Sequence, residues 1–265
     1  MTHPEKSLVQ QQFGQNAQKY RDEPLFATGE DLGHMIGVAQ PGGNERLLDI
    51  GTGAGHTALA FAPHVRQCIG LDLTEEMVQT ATQLASQRGI QNVAFQVGDA
   101  DALPFPAVSF DLVTCRLAAH HFPDPAKALH EAARVLKPGG HLLLLDHYAP
   151  EDPELDQFIN ELDRTRDPSH VREYTLREWE QFFIQAGLAC QIILRPDLEL
   201  DFEKWVERAQ TPPEARVRLI QMMQTASPIC RETFSILLDT QGQPISFCLK
   251  TALFVGEKAA PSDGN

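Results

Sequence analysis

The chain lacks paired cysteines and long apolar segments. Its five cysteines are scattered, and no two of them form a C-x-x-C pair. This pattern favours reduced thiols in a cytosolic protein over a disulfide framework. No apolar run approaches the roughly 20 residues of a membrane-spanning helix, and residues 1–18 are too polar for a signal peptide. We therefore predict a cytoplasmic protein without a membrane span.

Basic charge is also scarce. The sequence has 22 Lys and Arg against 36 Asp and Glu, which gives a formal net charge of −14. A protein that binds nucleic acid through its phosphates needs a basic face, so we expect no nucleic-acid partner. The 265 residues, 42% of them hydrophobic, suffice for one large domain with a sizeable core.

One glycine-rich stretch organises the rest of the chain. Residues 47–50 are apolar except for Asp49, and three glycines follow at alternate positions, Gly51, Gly53 and Gly55. The apolar run predicts a strand buried on both faces. Glycines let a ligand approach the backbone, and the next helix would direct its free N–H groups at that ligand. The stretch therefore predicts a nucleotide site at the end of a parallel strand.

Strands and helices alternate through the first half of the chain. Such alternation implies parallel strands joined by right-handed crossovers, so we predict an α/β fold with a doubly wound, Rossmann-like, seven-stranded sheet. An amphipathic helix over residues 4–20 and another over 29–39 precede it. The predicted strands are 46–50, 67–72, 93–97, 110–115 and 141–146, and the predicted helices between them are 57–63, 74–88 and 125–136.

The pattern changes after Tyr148. We predict one domain over residues 1–258, with a cofactor core at 30–148, a helical lid within 150–225 and a flexible tail at 259–265. The sequence ends in two β-like runs, which predict a hairpin and an antiparallel edge strand. The helices predicted here are 153–166, 176–186, 202–209 and 213–225, and the strands are 190–194, 234–238 and 245–255.

Three ligands compete for the glycine loop. A P-loop needs a lysine after the glycines, which this stretch lacks. A dinucleotide site needs GxGxxG with an acid about 20 residues on; Asp72 supplies the acid, but His56 stands where the third glycine belongs. Asp49 would repel a pyrophosphate and attract a ligand that carries an ammonium and a sulfonium. S-adenosylmethionine (SAM) carries both, and its ribose diol suits Asp72.

The chain resembles the class I SAM-dependent methyltransferases, in particular the small-molecule group that includes the ubiquinone/menaquinone C-methyltransferases. Five motifs match in order, which is far more specific than the glycine loop alone. The C-terminal third lies outside them. The matching motifs are residues 47–55, 70–77, 97–105, 110–122 and 134–140.

This resemblance assigns roles to individual residues. Asp72 would hold the ribose hydroxyls, Leu73 and Met77 would flank the adenine, and Asp99 would bind its amino group beside Ala100. Two further sets follow. Asp49, Gly51, Thr52, Gly53, Gly55, Arg116 and Leu117 would surround the methionine end, and Phe13 and Tyr20 on an N-terminal lid helix would lie near the site.

His120 and His121 follow the fourth strand and are the candidate catalytic residues. Histidine titrates near neutrality and can serve as a general base, but the same loop can also have a packing or positioning role. We predict no metal, because no second ligand has a recognisable spacing to the pair. Asp101 and Asp111 are interpreted as solvated turn or capping residues.

The predicted function is transfer of a methyl group from SAM to a small-molecule acceptor. The cofactor supplies the leaving group and the protein supplies alignment. Two alternatives stay open on the sequence, a non-catalytic SAM-binding module and an NAD-dependent oxidoreductase. The acceptor atom, which is C, N, O or S, and the oligomeric state are not determined by the sequence.

Overall fold

The structure is a computed structural model that describes residues 4–194 and 197–260. Residues 261–265, most of the predicted flexible tail, lie outside the described part. The strands are β1 (Arg46–Ile50), β2 (Gln67–Asp72), β3 (Val93–Val97), β4 (Phe110–Arg116), β5 (Leu136–His147), β6 (Leu188–Leu194), β7 (Asp197–Asp201), β8 (Leu237–Leu238) and β9 (Pro244–Lys258).

Helices cover both faces of the sheet and also form a separate group after β5. Among the described residues, no helix has the length and apolar character that a membrane crossing requires. The helices are α1 (Pro4–Asp22), α2 (Pro24–Ala27), α3 (Glu30–Ala39), α4 (His56–Phe61), α5 (Glu75–Gln87), α6 (Pro125–Val135), α7 (Pro153–Arg166), α8 (Leu176–Gln185), α9 (Phe202–Ala209), α10 (Pro213–Thr225) and α11 (Pro228–Thr233).

The sheet has the strand order β3-β2-β1-β4-β5-β9-β6. Strands β1 to β5 are parallel, and the order reverses between β1 and β4. A doubly wound sheet binds ligands outside the carboxyl ends of its strands at that reversal. The predicted mostly parallel α/β fold is therefore confirmed, and it places the glycine loop after β1 at the expected binding edge.

The antiparallel strand β9 lies one position in from the edge, between β5 and β6. Its second half pairs with these two strands, and its first half pairs with β7 and β8. The predicted terminal hairpin is present as β8 and β9, but the strand predicted at 234–238 is wrong over most of its length. Helix α11 ends at Thr233, and the chain then turns through residues 234–236 with Ser235 at φ +48°, so only Leu237 and Leu238 pair with β9.

Alternate residues of β1 face opposite layers of the core. Leu48 packs in a cluster with Leu129 of α6 and Trp179 of α8, whereas Leu47 packs in a cluster with Met35 of α3. All five side chains are buried. Burial of one such side chain contributes roughly 1.5–3 kcal/mol, which fixes β1 and holds the glycine loop at the sheet's edge.

A separate apolar cluster joins the later helices to β7 and the first half of β9. It includes Ile159 of α7, Trp205 of α9, Leu219 of α10 and Phe247 of β9, all buried. This cluster anchors the helical segment predicted as a lid beside the carboxyl ends of β4 and β5.

Candidate active site

The glycine loop after β1 forms the floor of a cavity of about 130 Å³, here the first cavity. Gly51 has φ +65°, and a Cβ on it would lie 2.6 Å from the Ala118 Cβ. Only glycine fits such a position. Gly51, Thr52 and Gly53 line the cavity. The backbone of this loop therefore lies open to a ligand.

Asp72, at the end of β2, is held beside that loop. Its Oδ2 accepts a hydrogen bond from the Gly53 N–H at 2.8 Å, and its Oδ1 accepts one from the Thr74 N–H at 2.9 Å. Burial raises the pKa of Asp72 despite these donors. Each carboxylate oxygen retains a second lone pair. Asp72 is thus oriented to accept hydrogen bonds from a diol in the first cavity.

One end of the first cavity is a mainly apolar slot with acidic groups at its rim. Leu73, Met77 and Ala100 line the slot. Lys6 of α1 lies across the rim, with its Nζ 2.7 Å from Asp99 Oδ2 and 2.5 Å from Asp101 Oδ2. The slot suits a flat apolar ring, and α1 closes it.

The N-terminal helix also covers the other end of the first cavity. The Phe13 ring lies edge-on to His121 at 4.9 Å between centroids, and Tyr20 stacks on Phe26 at 5.4 Å. His56 Nε2 lies 3.0 Å from the Arg21 carbonyl oxygen and ties the end of α1 to α4. The aromatic face of α1 therefore forms a wall of the cavity.

Arg116 and Leu117 lie where β4 ends. The Arg116 guanidinium is bound to Asp31, through an Nε–Oδ2 contact of 2.5 Å, and donates to the carbonyls of Leu25 and Phe26. It lines the cavity but uses its charge to hold α2 and α3. Leu117 adopts φ +52°, and this turn directs the chain toward the two histidines.

A second cavity, of about 50 Å³, adjoins the first. Phe13, Tyr20, Phe26, Leu117 and His121 line both cavities. One part of the lining of the second cavity is apolar, and another part carries ionisable groups. The apolar wall contains Leu198, Leu200, Trp205 and Leu249, and the polar wall contains His120, His147, Asp163, Arg166, Asp167, His170 and Arg208.

His120 and His121 occupy a 3-10 turn after β4, and their environments differ. His120 Nδ1 lies 2.6 Å from Asp146 Oδ1. Burial opposes charging of this pair, but each partner stabilises the charge of the other, so the pKa of His120 is raised and that of Asp146 is lowered to about 2. Burial and the charge of His120 lower the pKa of His121 to about 4. His120 is therefore the more readily protonated of the two histidines, and His121 is neutral at pH 7.

His121 is held in one tautomer by a backbone group. Its Nδ1 lies 3.0 Å from the Ser169 carbonyl oxygen, an acceptor, so Nδ1 carries the hydrogen. The unprotonated Nε2 then has a free lone pair. Because His121 lines both cavities, it stands at their junction.

Comparison with known proteins shows the family to which this chain belongs. The family described as "Methyltransferase domain" matches residues 48–144. The uncharacterized methyltransferase YcgJ of Bacillus subtilis is 54% identical over 246 residues, 93% of this chain and 97% of that protein. The chain belongs to the SAM-dependent methyltransferase family.

Solved structures agree with this assignment. The crystal structure of YcgJ superposes with a TM-score of 0.85 at 52% identity, over 87% of this chain and 98% of that one. A putative methyltransferase from Bacillus halodurans gives a TM-score of 0.84 at 36% identity, over 88% and 100%. A demethylmenaquinone methyltransferase of Deinococcus radiodurans is 40% identical over 108 residues, 40% of this chain and 44% of that protein. The family resemblance inferred from the motifs is confirmed.

The methyltransferase brings most of the predicted cofactor residues to the first cavity. Asp49 and Gly55 do not line this cavity. The structure also places the predicted lid residues Phe13 and Tyr20 on the cavity wall. The predicted cofactor residues that line the first cavity are Gly51, Thr52, Gly53, Asp72, Leu73, Met77, Asp99, Ala100, Arg116 and Leu117.

Asp49 and Gly55 lie behind the loop. Asp49 accepts hydrogen bonds from Thr52 Oγ1 at 2.6 Å and Thr114 Oγ1 at 2.7 Å, and burial raises its pKa to about 6. A Cβ on Gly55 would lie 2.8 Å from the Phe95 ring, so this glycine permits close packing. Asp49 thus supports the loop and acts on the first cavity only through its charge.

Several site residues were missed by the sequence reasoning. Asp101 is buried in contact with Lys6, so its interpretation as a solvated turn residue is wrong. No motif or spacing in the sequence indicated that Asp163 and Glu173 belong to the site. His170 stands in the segment Asp167–Arg172, a histidine-containing turn that the sequence alone gives no reason to place beside His120.

Proposed function

We propose that this methyltransferase binds SAM in the first cavity and transfers its methyl group to a small acceptor in the second. The observation that supports this proposal is that the two cavities adjoin and share lining residues. Methyl transfer from a sulfonium is an in-line displacement that requires the acceptor atom beyond the methyl group. Two adjoining cavities with shared walls provide that arrangement.

The features of the first cavity support SAM over a dinucleotide. The open loop backbone at Gly51 and Gly53 suits the carboxylate of the cofactor's amino acid end. Asp72 suits the ribose, and the apolar slot suits adenine. Two carboxylates, Asp49 and Asp72, close to the loop favour a cationic ligand and disfavour a pyrophosphate.

The features of the second cavity support a small, partly apolar acceptor. Its apolar wall is built from leucines and Trp205, and His121 lines this cavity at the junction with the first cavity. We propose that His121 Nε2 accepts a proton or a hydrogen bond from the acceptor, and that His120, bound to Asp146, positions the turn that carries it. The scattered free cysteines support a cytoplasmic location.

Two measurements test this function. Calorimetry with SAM and S-adenosylhomocysteine should give one site per chain, and NAD should give no heat. Incubation with methyl-labelled SAM and a fractionated metabolite extract should transfer label to a small molecule. Binding of SAM without transfer to any fraction would favour the non-catalytic binding module.

A further inference from the structure

A group of three largely buried ionisable side chains lies at the wall of the second cavity. One nitrogen of His147 and one oxygen each of Asp163 and Glu173 lie within 4.8 Å of one another. His147 follows Asp146 at the end of β5, Asp163 belongs to α7, and Glu173 lies in the loop before α8. From this juxtaposition we infer that the three residues form a binding site for a divalent transition-metal ion.

The hydrogen bonding of the group supports a bound ion. Glu173 is fully buried, and the hydrogen-bond partner of its carboxyl group is another carboxyl, that of Asp163. Both ring nitrogens of His147 lack a partner. A buried carboxylate without a donor is strongly unfavourable. His147 Nδ1 and Glu173 Oε1 are 3.6 Å apart, too far for a hydrogen bond.

The spacing suits a small cation between these atoms. Zinc binds nitrogen and oxygen ligands at about 2.0–2.2 Å, and two such ligands in a tetrahedron lie about 3.4 Å apart. The 3.6 Å between His147 Nδ1 and Glu173 Oε1 is close to this edge length. One imidazole with two carboxylates is a donor set suited to Zn²⁺ or Mn²⁺.

The charges around the group are unbalanced. Asp146 is bound to His120, and Asp167 lies 3.8 Å from an Arg166 nitrogen. Arg166 and His120 also act on Asp163, whereas the charged groups around Glu173 include the carboxylates Asp163, Asp146 and Asp156. A divalent cation would neutralise both carboxylates, whereas a single shared proton would neutralise one.

A neighbouring set of atoms is a weaker candidate. His120, Asp146 and His147 also lie within metal-binding range of one another. However, His120 Nδ1 and Asp146 are already joined at 2.6 Å, and Asp146 accepts hydrogen bonds from the N–H groups of Ala119, His120 and His147. The atoms that need a ligand are those of Glu173 and His147.

The site would have open coordination positions. Three protein ligands leave at least one position on a tetrahedral ion, as in catalytic zinc sites. His147 and Asp163 line the second cavity, so that position would face a bound acceptor and take one of its oxygen atoms or a water. This role for the open position rests on the proposed function; the metal site itself does not.

Metal binding by the purified full-length chain tests the inference. After treatment with a chelator, the protein is dialysed against Zn²⁺ or Mn²⁺ alone and the metal per chain is measured. We expect one equivalent of Zn²⁺, and an affinity at least about tenfold lower in Glu173→Gln and in His147→Gln. His130→Gln, which removes an exposed histidine, should bind as the wild type does.

Two outcomes would overturn the site. One is wild-type protein that binds no stoichiometric metal, which would leave a proton shared between Asp163 and Glu173. The other is unchanged binding in both ligand variants. Co²⁺ substitution gives a visible spectrum from the wild type alone, so the test does not depend on the variants folding. Calorimetry with SAM in the same samples separates this result from the proposed function, because loss of SAM binding would contradict only the latter.

Discussion

Lys6 Nζ lies 2.7 Å from a carboxylate oxygen of Asp99 and joins the N-terminal helix to the rim of the first cavity. The same nitrogen contacts Asp101, which is buried. Asp99 is the residue that the family resemblance assigns to the adenine amino group. The adenine end of the site is therefore closed by a residue 93 positions away in the sequence.

Removing this ion pair should speed the exchange of the cofactor. Partly exposed pairs typically contribute about 0.2–1 kcal/mol, so Lys6→Met should raise the dissociation rate of S-adenosylhomocysteine by roughly two- to fivefold, as measured by stopped-flow fluorescence. Lys204→Gln, an exposed lysine on α9, is the control. Equal rates in Lys6→Met and wild type would mean that α1 is held by its aromatic face alone.

Asp72→Asn should weaken SAM binding strongly. The amide keeps the size of the side chain but replaces one acceptor by a donor that faces either the Gly53 N–H or the ribose. Loss of charged hydrogen bonds of this kind costs about 1.5–3 kcal/mol, which is roughly 10- to 100-fold in Kd by calorimetry. Asp124→Asn is the matched control, because Asp124 caps α6 on the surface. A similar loss of SAM affinity in both variants would mean that Asp72 does not bind the ribose.

Asp49 should make both stability and SAM binding depend on pH. Burial raises its pKa to about 6, so in the folded, ligand-free chain it loses its proton at higher pH than in the unfolded chain. The contribution of Asp49 to the stability of the ligand-free chain should then fall as the pH rises from about 4 to about 6, by up to roughly 3 kcal/mol. The ionised form attracts the SAM ammonium, so SAM affinity should rise severalfold from pH 5 to pH 7.

The Asp49→Asn variant isolates this effect. Its amide can still pair with the hydroxyls of Thr52 and Thr114, but it does not titrate. The difference between wild type and variant, in both thermal unfolding and calorimetry, should therefore change with pH. Parallel curves from pH 4 to pH 7 would show that Asp49 does not ionise in this range.

His121→Asn should lower methyl transfer far more than SAM binding. The asparagine Nδ2 can replace the donor to the Ser169 carbonyl, so the variant removes mainly the free Nε2. General-base groups typically contribute 10²–10⁴ in rate, and we expect kcat to fall about 10²-fold in the labelled-methyl assay. A change below about threefold, with SAM affinity intact, would assign His121 a packing role.

The nucleotide half of the site could be predicted because its signals are local. Gly51 needs a left-handed backbone and a missing Cβ, and Asp72 ends a buried strand; both requirements appear directly in the sequence. The helix and strand positions from 46 to 135 followed from periodicity and caps for the same reason. Asp49 was predicted as a member of the site. The sequence did not show that it is buried behind the loop, because this burial depends on contact with Thr114, a residue of another strand.

The acceptor half could not be predicted, because its residues meet only through long-range packing. His147, Asp163 and Glu173 come from β5, α7 and a loop, and none has a spacing that indicates the others. The position of β9 between β5 and β6 depends on pairing between distant strands, which no local pattern specifies. The sequence by itself determined the family, the parallel part of the sheet and the cofactor loop, since glycine conformations and apolar periodicity are properties of short segments. Only the tertiary structure decided which ionisable side chains share the second cavity, because burial and charge depend on neighbours that the chain order does not reveal.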